Sequence, residues 1–527
     1  MRRLTNCKYS LLIFSFQNNF TRSDFYRFFP MFVAMIRILL YFFTFLIGFA
    51  SYSQRNQLAD DYFRKGEFEK AANLYQEDYN KKKYSTYILK NLLKSWKAIE
   101  EYKKVDSLLK ERLISFPKQY FIWVELGNNL DKQHKTEEAK VYYEKAALEV
   151  KKNPKKAYQI AKSFQDNHLL DYALQSYLLM IEASPSSNYN YQLATIYGEK
   201  GDIEKMFDTY LSMVSKRGGT LANIQRFIGR YISDDTQDPN NALFRKLLIK
   251  RLQQNPKDEW NKLLAWLYLQ QKDYSKALIQ EKAVHKRSQT DLLAVIDIGK
   301  LAFEEQDYMA SHQAFTYVLT NSIDKEDQIW AHYYLLESQI KQKKDPASIE
   351  AAYQKVFSEF GKGKNTLSIQ VSYADFLTFH RNNPKKAIEE LQASLKNRLN
   401  KFEQAEVKIQ LADIMVFTGK YNQALIRYSQ VQTQLKNHIL AHEARFKVAQ
   451  TSYFKGDFSW ANIQLKVLKR GTTKLIANDA IDLSLLIDDN IAQDSVQTAL
   501  KSYATADLLA YQNKNLQAID TLSQILK

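Results

Sequence analysis

His438-Ile-Leu-Ala-His442 sets two imidazoles one helical turn apart, a spacing that can hold zinc. Position 439 is isoleucine rather than the glutamate of a zinc-protease helix, and no third ligand stands nearby, so the pair reads as exposed helix histidines. Gly361-Lys-Gly-Lys-Asn-Thr366 resembles a phosphate cradle only superficially. It follows a helical segment and lacks the P-loop spacing, which leaves a basic turn. Asp234, Asp235 and Asp238 lack the alternation and the glycine of a calcium loop. Asp482, Asp488 and Asp489 read as a solvated helical face, and no Ser/His/Asp set carries a supporting motif. Cys7 is the only cysteine, so no disulfide, thiolate metal site or cysteine nucleophile exists after it. We therefore expect no catalytic residue, no metal site and no cofactor. The chemistry left is binding.

The composition says what kind of framework would present a binding surface. The 527 residues contain only 14 Gly and 8 Pro but 34 Tyr and 30 Phe. Scarce turn-formers argue for long helices joined by short turns, and the aromatic surplus suits a repeated packing position. The formal charge of +17 is compatible with acidic partners. Its lysines are interspersed with Glu and Asp along amphipathic segments, with no nucleic-acid motif beside them, so they read as a solvated face and nucleic acid is not expected.

Three segments share one pattern: Leu58-Ala59 with Gly66, Phe68, Ala71 and Tyr75; Leu411-Ala412 with Gly419, Tyr421, Ala424 and Tyr428; and Val448-Ala449 with Gly456, Phe458, Ala461 and Leu465. Each has a large-small pair, a glycine turn, an aromatic two residues on, a small residue three beyond and a bulky one four beyond that. Following the small or compact position gives Ala71, Val105, Ala139, Ala173, Met206, Ala242, Ala277, Ser311, Ile349, Ala387, Ala424 and Ala461. Consecutive markers lie 33 to 38 residues apart, about 34 at first and about 37 after Ser311, which implies longer helices in the second half. Trp123-Val-Glu-Leu126-Gly127 adds a Trp-x-x-Leu-Gly opening, and Gly201 occupies another turn. The chain resembles tetratricopeptide repeat proteins, whose period is about 34. The resemblance implies an all-α fold, a right-handed α-solenoid of stacked helix-turn-helix units. No unit can bury its apolar stripe alone.

In that family the first helices of successive pairs line a concave groove that holds a peptide or a partner's helix. Carried onto this sequence, the groove slots are Asn128 and Lys132, then Tyr158, Lys162, Tyr191 and Thr195. Asn128 matches the asparagine of carboxylate-clamping relatives. The rest of that clamp is not reproduced, so an extended acidic or mixed segment is expected rather than a terminal carboxylate.

Arg37 followed by the uncharged run Ile38–Ala50 and the small residues Ser51 and Ser53 has the parts of a secretory signal. Its thirteen-residue apolar centre spans roughly 20 Å, short of a bilayer core of about 30 Å. Its ending resembles those of exported Bacteroidetes proteins. The expected organisation is an over-extended, disordered gene start at 1–34, a signal at 35–53, repeat arrays at 54–235 and 236–468 with a hinge near Asp234–Asp238, and degenerate repeats, either truncated or covered by another chain, at 469–527. The expected function is a non-enzymatic protein-protein interaction scaffold of the bacterial cell envelope or periplasm, binding other proteins or peptides, with any membrane association peripheral and through them. The alternative is the sensor portion of a signalling protein whose effector lies beyond Lys527. A weaker third reading is a glycan-handling accessory.

Overall fold

The computed structural model describes residues 57–185, 188–214, 220–469, 474–491 and 497–525. The supposed gene start at 1–34 and the signal at 35–53 lie outside the described residues. Among the described residues the chain is helical, with no strand.

The first compact unit, Met1–Met213, is a run of helical hairpins. We call the first helix of each pair A and the second B. The pairs are α1 (57–64) with α2 (Phe68–Lys81), α3 (Thr86–Ala98) with α4 (Tyr102–Ser115) and α5 (Phe121–Asp131) with α6 (Thr136–Lys152). Next come α7 (Tyr158–Asp166) with α8 (Leu170–Ala183), and α9 (Asn190–Glu199) with α10 (Ile203–Val214).

The second unit, Val214–Lys527, opens with α11 (Leu221–Ile228) and α12 (Pro239–Gln254). Hairpins follow: α13 (Asp258–Gln270) with α14 (Tyr274–Ser288), α15 (Leu293–Glu304) with α16 (Tyr308–Asn321), and α17 (Lys325–Lys341) with α18 (Pro346–Phe360). Then come α19 (Leu367–Phe379) with α20 (Pro384–Ser394), α21 (Lys401–Phe417) with α22 (Tyr421–Gln434), and α23 (Ile439–Phe454) with α24 (Phe458–Leu468). Single helix α25 (Lys474–Ile491) precedes a last hairpin, α26 (Thr498–Tyr511) with α27 (Asn515–Ile525). The wider marker spacing has a direct cause, because A helices α17 and α21 are 17 residues long against 11 for α5.

One packing rule builds every hairpin. The marker residue stands fourth in its B helix and is buried at 0 to 2% exposure at Ala71, Val105, Ala139, Ala173, Met206, Ala277, Ser311, Ile349, Ala387, Ala424 and Ala461. One turn later Tyr75, Tyr143, Tyr177, Tyr210, Phe315, Tyr353 and Tyr428 are buried too, so these aromatics fill the core. A buried phenol needs a partner, and the A helices supply it. Tyr143 Oη donates to Asp131 at 2.5 Å, Tyr428 Oη to Asp413 at 2.5 Å and Tyr177 Oη to Gln165 at 3.3 Å. Trp123 is half-buried against Tyr120. Gly127 gives the closest approach of all: a Cβ there would lie 2.4 Å from the Tyr143 ring. Gly127→Ala should cost about 1–3 kcal/mol through overpacking, measurable by urea unfolding.

The turns obey a second rule. Each A helix ends in a left-handed residue, and the amide two positions past the helix's last turn bonds back across it, as Asp457 N to Ser452 O at 2.9 Å and Glu101 N to Trp96 O at 2.9 Å. Gly66, Gly201, Gly419 and Gly456 hold this place with φ of 75 to 79°. Glu100, His134, His168, Lys272, Gln306, Lys343, Asn382 and Asn513 hold the same place with φ of 49 to 66°. A side chain there costs roughly 1–2 kcal/mol that glycine avoids, less glycine's own entropy. Lys272→Gly is accordingly expected to raise stability by about 0.5–1 kcal/mol, read as a higher urea midpoint with unchanged slope.

The marker expected at Ala242 departs from the rule, because Ala242 is exposed and its neighbour Asn241 is fully buried. Asn241 Nδ2 donates to Ser233 O at 2.9 Å and to Asp235 O at 2.7 Å, and Asp238 caps α12 through Asn240 N at 2.8 Å. The Asp234–Asp238 stretch expected to hinge is therefore pinned to α12. The boundary between the compact units falls at Met213/Val214. Each unit is an all-α solenoid segment of stacked, tetratricopeptide-like hairpins.

Candidate functional site

Three successive A helices of the first unit carry a polar network on one face. Glu125 of α5 is its hub. Its carboxylate accepts from Lys97 Nζ of α3 at 2.9 Å, and from Ser163 Oγ at 2.7 Å and Asn167 Nδ2 at 2.9 Å at the far side. The side chains of Lys97 and Glu125 keep only 10% and 7% of their exposure. Burial alone would push the Glu125 carboxyl up; the Lys97 charge and the hydrogen bonds from Lys97, Ser163 and Asn167 overcome it and bring it down to about 2. The Glu125 carboxylate is thus fully ionised at neutral pH. Lys97 Nζ also donates to Asn128 Oδ1 at 2.8 Å, which fixes the asparagine's orientation and leaves its amide nitrogen for another acceptor.

Above this floor lies a cleft of about 550 Å³ between α3, α5 and the α7–α8 turn, lined among others by Lys90, Lys94, Lys97, Asn128, Lys132 and Asp166. Asp166 is satisfied by Lys90 at 3.1 Å and by Lys162 one turn before it. Lys94 and Lys132 are exposed and form no ion pair among the described residues. The cleft therefore has its buried charges paired and two cations turned to solvent, an arrangement that attracts carboxylates.

Of the residues named from the sequence, Asn128 and Lys132 line the cleft, and Lys162 joins it through Asp166. Lys94, Asn128, Lys162 and Thr195 each stand six residues before the left-handed residue of their hairpin, so they form one row across α3, α5, α7 and α9. Thr195 turns its hydroxyl to Tyr191 O at 2.9 Å. Tyr158 and Tyr191 are outside the cleft lining. Tyr158 stacks on Tyr189 with ring centres 6.0 Å apart, and Tyr191 packs against Tyr210 at 6.5 Å. Sequence reasoning missed Lys90, Lys94, Lys97 and Glu125. For the lysines a signal was present, since Lys90, Lys94 and Lys97 follow helical spacing on one face; for Glu125 there was none.

The other motifs resolve into structure. His438 caps α23, its Nδ1 accepting from Leu440 N at 3.2 Å, with its ring 4.7 Å from Phe402. In the Gly361–Thr366 turn, Thr366 Oγ1 donates to Gly361 O at 2.9 Å, and Lys362 pairs with Glu390 at 2.7 Å. Asp482, Asp488 and Asp489 are exposed, and Asp488 also accepts from Asn462 Nδ2 at 2.6 Å.

Neither a protein-family model nor a curated protein matches the sequence. Among solved structures the chain is similar to yeast Tom70, at 12% identity and a TM-score of 0.35 over 84% of this chain and 97% of that one. It is also similar to the APC/C hetero-tetramer Cut9-Hcn1, at 11% and 0.31 over 81% and 95%. A tetratricopeptide repeat protein from Parabacteroides merdae is similar at 15% and 0.27, over 56% of this chain and 97% of that one. The fold described above rests on the hairpin geometry and not on these likenesses.

Proposed function

We propose that the chain is a non-enzymatic scaffold that holds partner proteins or peptides on its A-helix face, and that the lysine cleft of the first unit takes an acidic segment. The observation that carries this reading is the paired floor beneath free cations: Glu125 holds Lys97 and Asn128 in place while Lys94 and Lys132 stay open to a ligand. Pre-set donors lose little freedom on binding, and charge complementarity sets which segment enters. The export reading rests on the Arg37–Ser53 pattern and puts the scaffold in the cell envelope, with Gln54 as its first mature residue.

The test is a titration of the full chain with a fluorescent Asp/Glu-rich peptide and with a Lys-rich peptide of equal length. The acidic peptide should bind, and binding should weaken as salt rises. Lys94→Glu with Lys132→Glu should weaken it about tenfold or more, or about 1.4 kcal/mol. Equal binding of both peptides, or no effect of the double substitution, would remove the acidic-segment reading. Sequencing the mature amino terminus tests export separately.

A further inference from the structure

Hairpins in such a stack ordinarily touch only their neighbours along the chain. The hairpin α26–α27 does more. Asn513 Nδ2 donates to Phe379 O at 2.6 Å, Gln512 Nε2 to Phe417 O at 2.9 Å and Tyr511 Oη to Asp413 O at 3.4 Å. These acceptors stand 134, 95 and 98 positions earlier in the chain. Phe379 and Phe417 are the last residues of α19 and α21, where helix carbonyls have no partner within the helix. The side-chain amides of the turn supply those partners.

The aromatic rings make the same point. Phe379, Phe417 and Phe454 end the A helices α19, α21 and α23, and the first two meet edge to face at 5.1 Å. Tyr511 lies 5.4 Å from Phe379 and 5.8 Å from Phe454. Leu508 joins it on the α21–α23 core, and Asp507 accepts from Tyr453 Oη at 2.7 Å. Burial, with the Asp413 and Asp375 carboxylates beside it, raises the Tyr511 hydroxyl well above its ordinary value and keeps it a donor. Helix α27 adds little to the attachment. Its Leu516 and Ile519 are 80% and 58% exposed, and of its side chains Ala518 is buried. The hairpin is held by one face of α26 and by its turn.

We infer that the C-terminal edge of α19, α21 and α23 is a docking site for a helix-turn segment that presents an aromatic residue followed by two side-chain amides, and that α26–α27 fills it as an internal ligand. A partner helix-turn of the same chemistry reaches this edge by displacing the hairpin. This site is in the second unit and is independent of the lysine cleft.

The test uses the full chain and a labelled synthetic peptide spanning residues 498–525. In one variant Tyr511→Ala, Gln512→Ala and Asn513→Gly are combined. Glycine keeps the left-handed turn, where φ is 61°, while deleting the amide. The expected result is about tenfold or tighter binding of the peptide by the variant than by the wild type, whose edge is occupied. Amide exchange in α26 and α27 should rise in the variant while α13–α16 stay unchanged. Equal peptide binding by both proteins, or by neither, overturns the proposal. If the triple variant fails to fold, Asn513→Gly alone decides: faster exchange in α26–α27 with peptide binding restored in part supports the docking site, and an unchanged exchange pattern or no added binding overturns it.

Discussion

Glu125→Leu is expected to destabilise the first unit by about 3–5 kcal/mol, because it leaves the Lys97 ammonium buried without its counter-charge. The Ser163 hydroxyl and the Asn167 amide lose their acceptor in the same step. Glu125→Gln should fall between leucine and wild type, since the amide oxygen still accepts but offers Lys97 no charge. The pH dependence follows from the direction of the shift. A carboxyl lowered to about 2 on folding contributes stability that is fully present above the unfolded value of 4.5, and that is lost as pH falls from there toward 2. The size of that contribution is roughly 3 kcal/mol. Urea unfolding of the full chain at several pH values measures it, and the leucine variant should lose this part of the acid dependence.

Arg112 carries the second large effect. It is 1% exposed, with no carboxylate among its partners in the described residues. Its Nε donates to Gln119 Oε1 at 2.9 Å and its Nη1 to Tyr79 Oη at 3.0 Å, and further bonds reach the Lys83 and Tyr84 carbonyls. The guanidinium also lies over the rings of Phe116 and Tyr79, 4.7 and 5.7 Å from their centres. One side chain of α4 thus ties down the turn between α2 and α3 and the approach to α5. Arg112→Leu should cost roughly 3–4 kcal/mol, because the Gln119, Tyr79, Lys83 and Tyr84 oxygens all lose a charged donor in one step. Arg112→Lys should recover less than half of this, because a single ammonium cannot span acceptors arranged for a planar fork. Thermal unfolding separates the three proteins.

Both residues show what a sequence can and cannot reveal here. The hairpins with glycine at the turn and alanine in the B helix stand out because those residue types have few other reasons to recur. The hairpin α3–α4 has Glu100 at its left-handed turn and Val105 at its marker, so its spacing fits the repeat while its residue types do not. The Schellman bonds and core packing hold that turn left-handed in spite of the side chain. With its frame so weakly marked, the lysines of α3 were not aligned with Asn128, whereas the opening at Trp123 led to Asn128 and Lys132, two residues that line the cleft. Ala242 satisfied the spacing, but in the first turn of α12 it is Asn241 that is buried, and its amide binds the loop before it. A marker defined by small size cannot anticipate a burial driven by hydrogen bonding. Glu125 and Arg112 were illegible for a related reason. A charged residue in an amphipathic helix is ordinarily solvated, and only the partners supplied by other hairpins make these two buried.

The account's central claim is that the A-helix face of the first unit, with its paired floor and open lysines, is the surface that grips a partner. Amide hydrogen exchange of the full chain with and without the acidic peptide tests it most directly. Protection concentrated in α3, α5 and the α7–α8 turn, around Lys94, Asn128 and Lys132, is the expected footprint. Protection confined to the B helices α4 and α6, or none at saturating peptide, would contradict it.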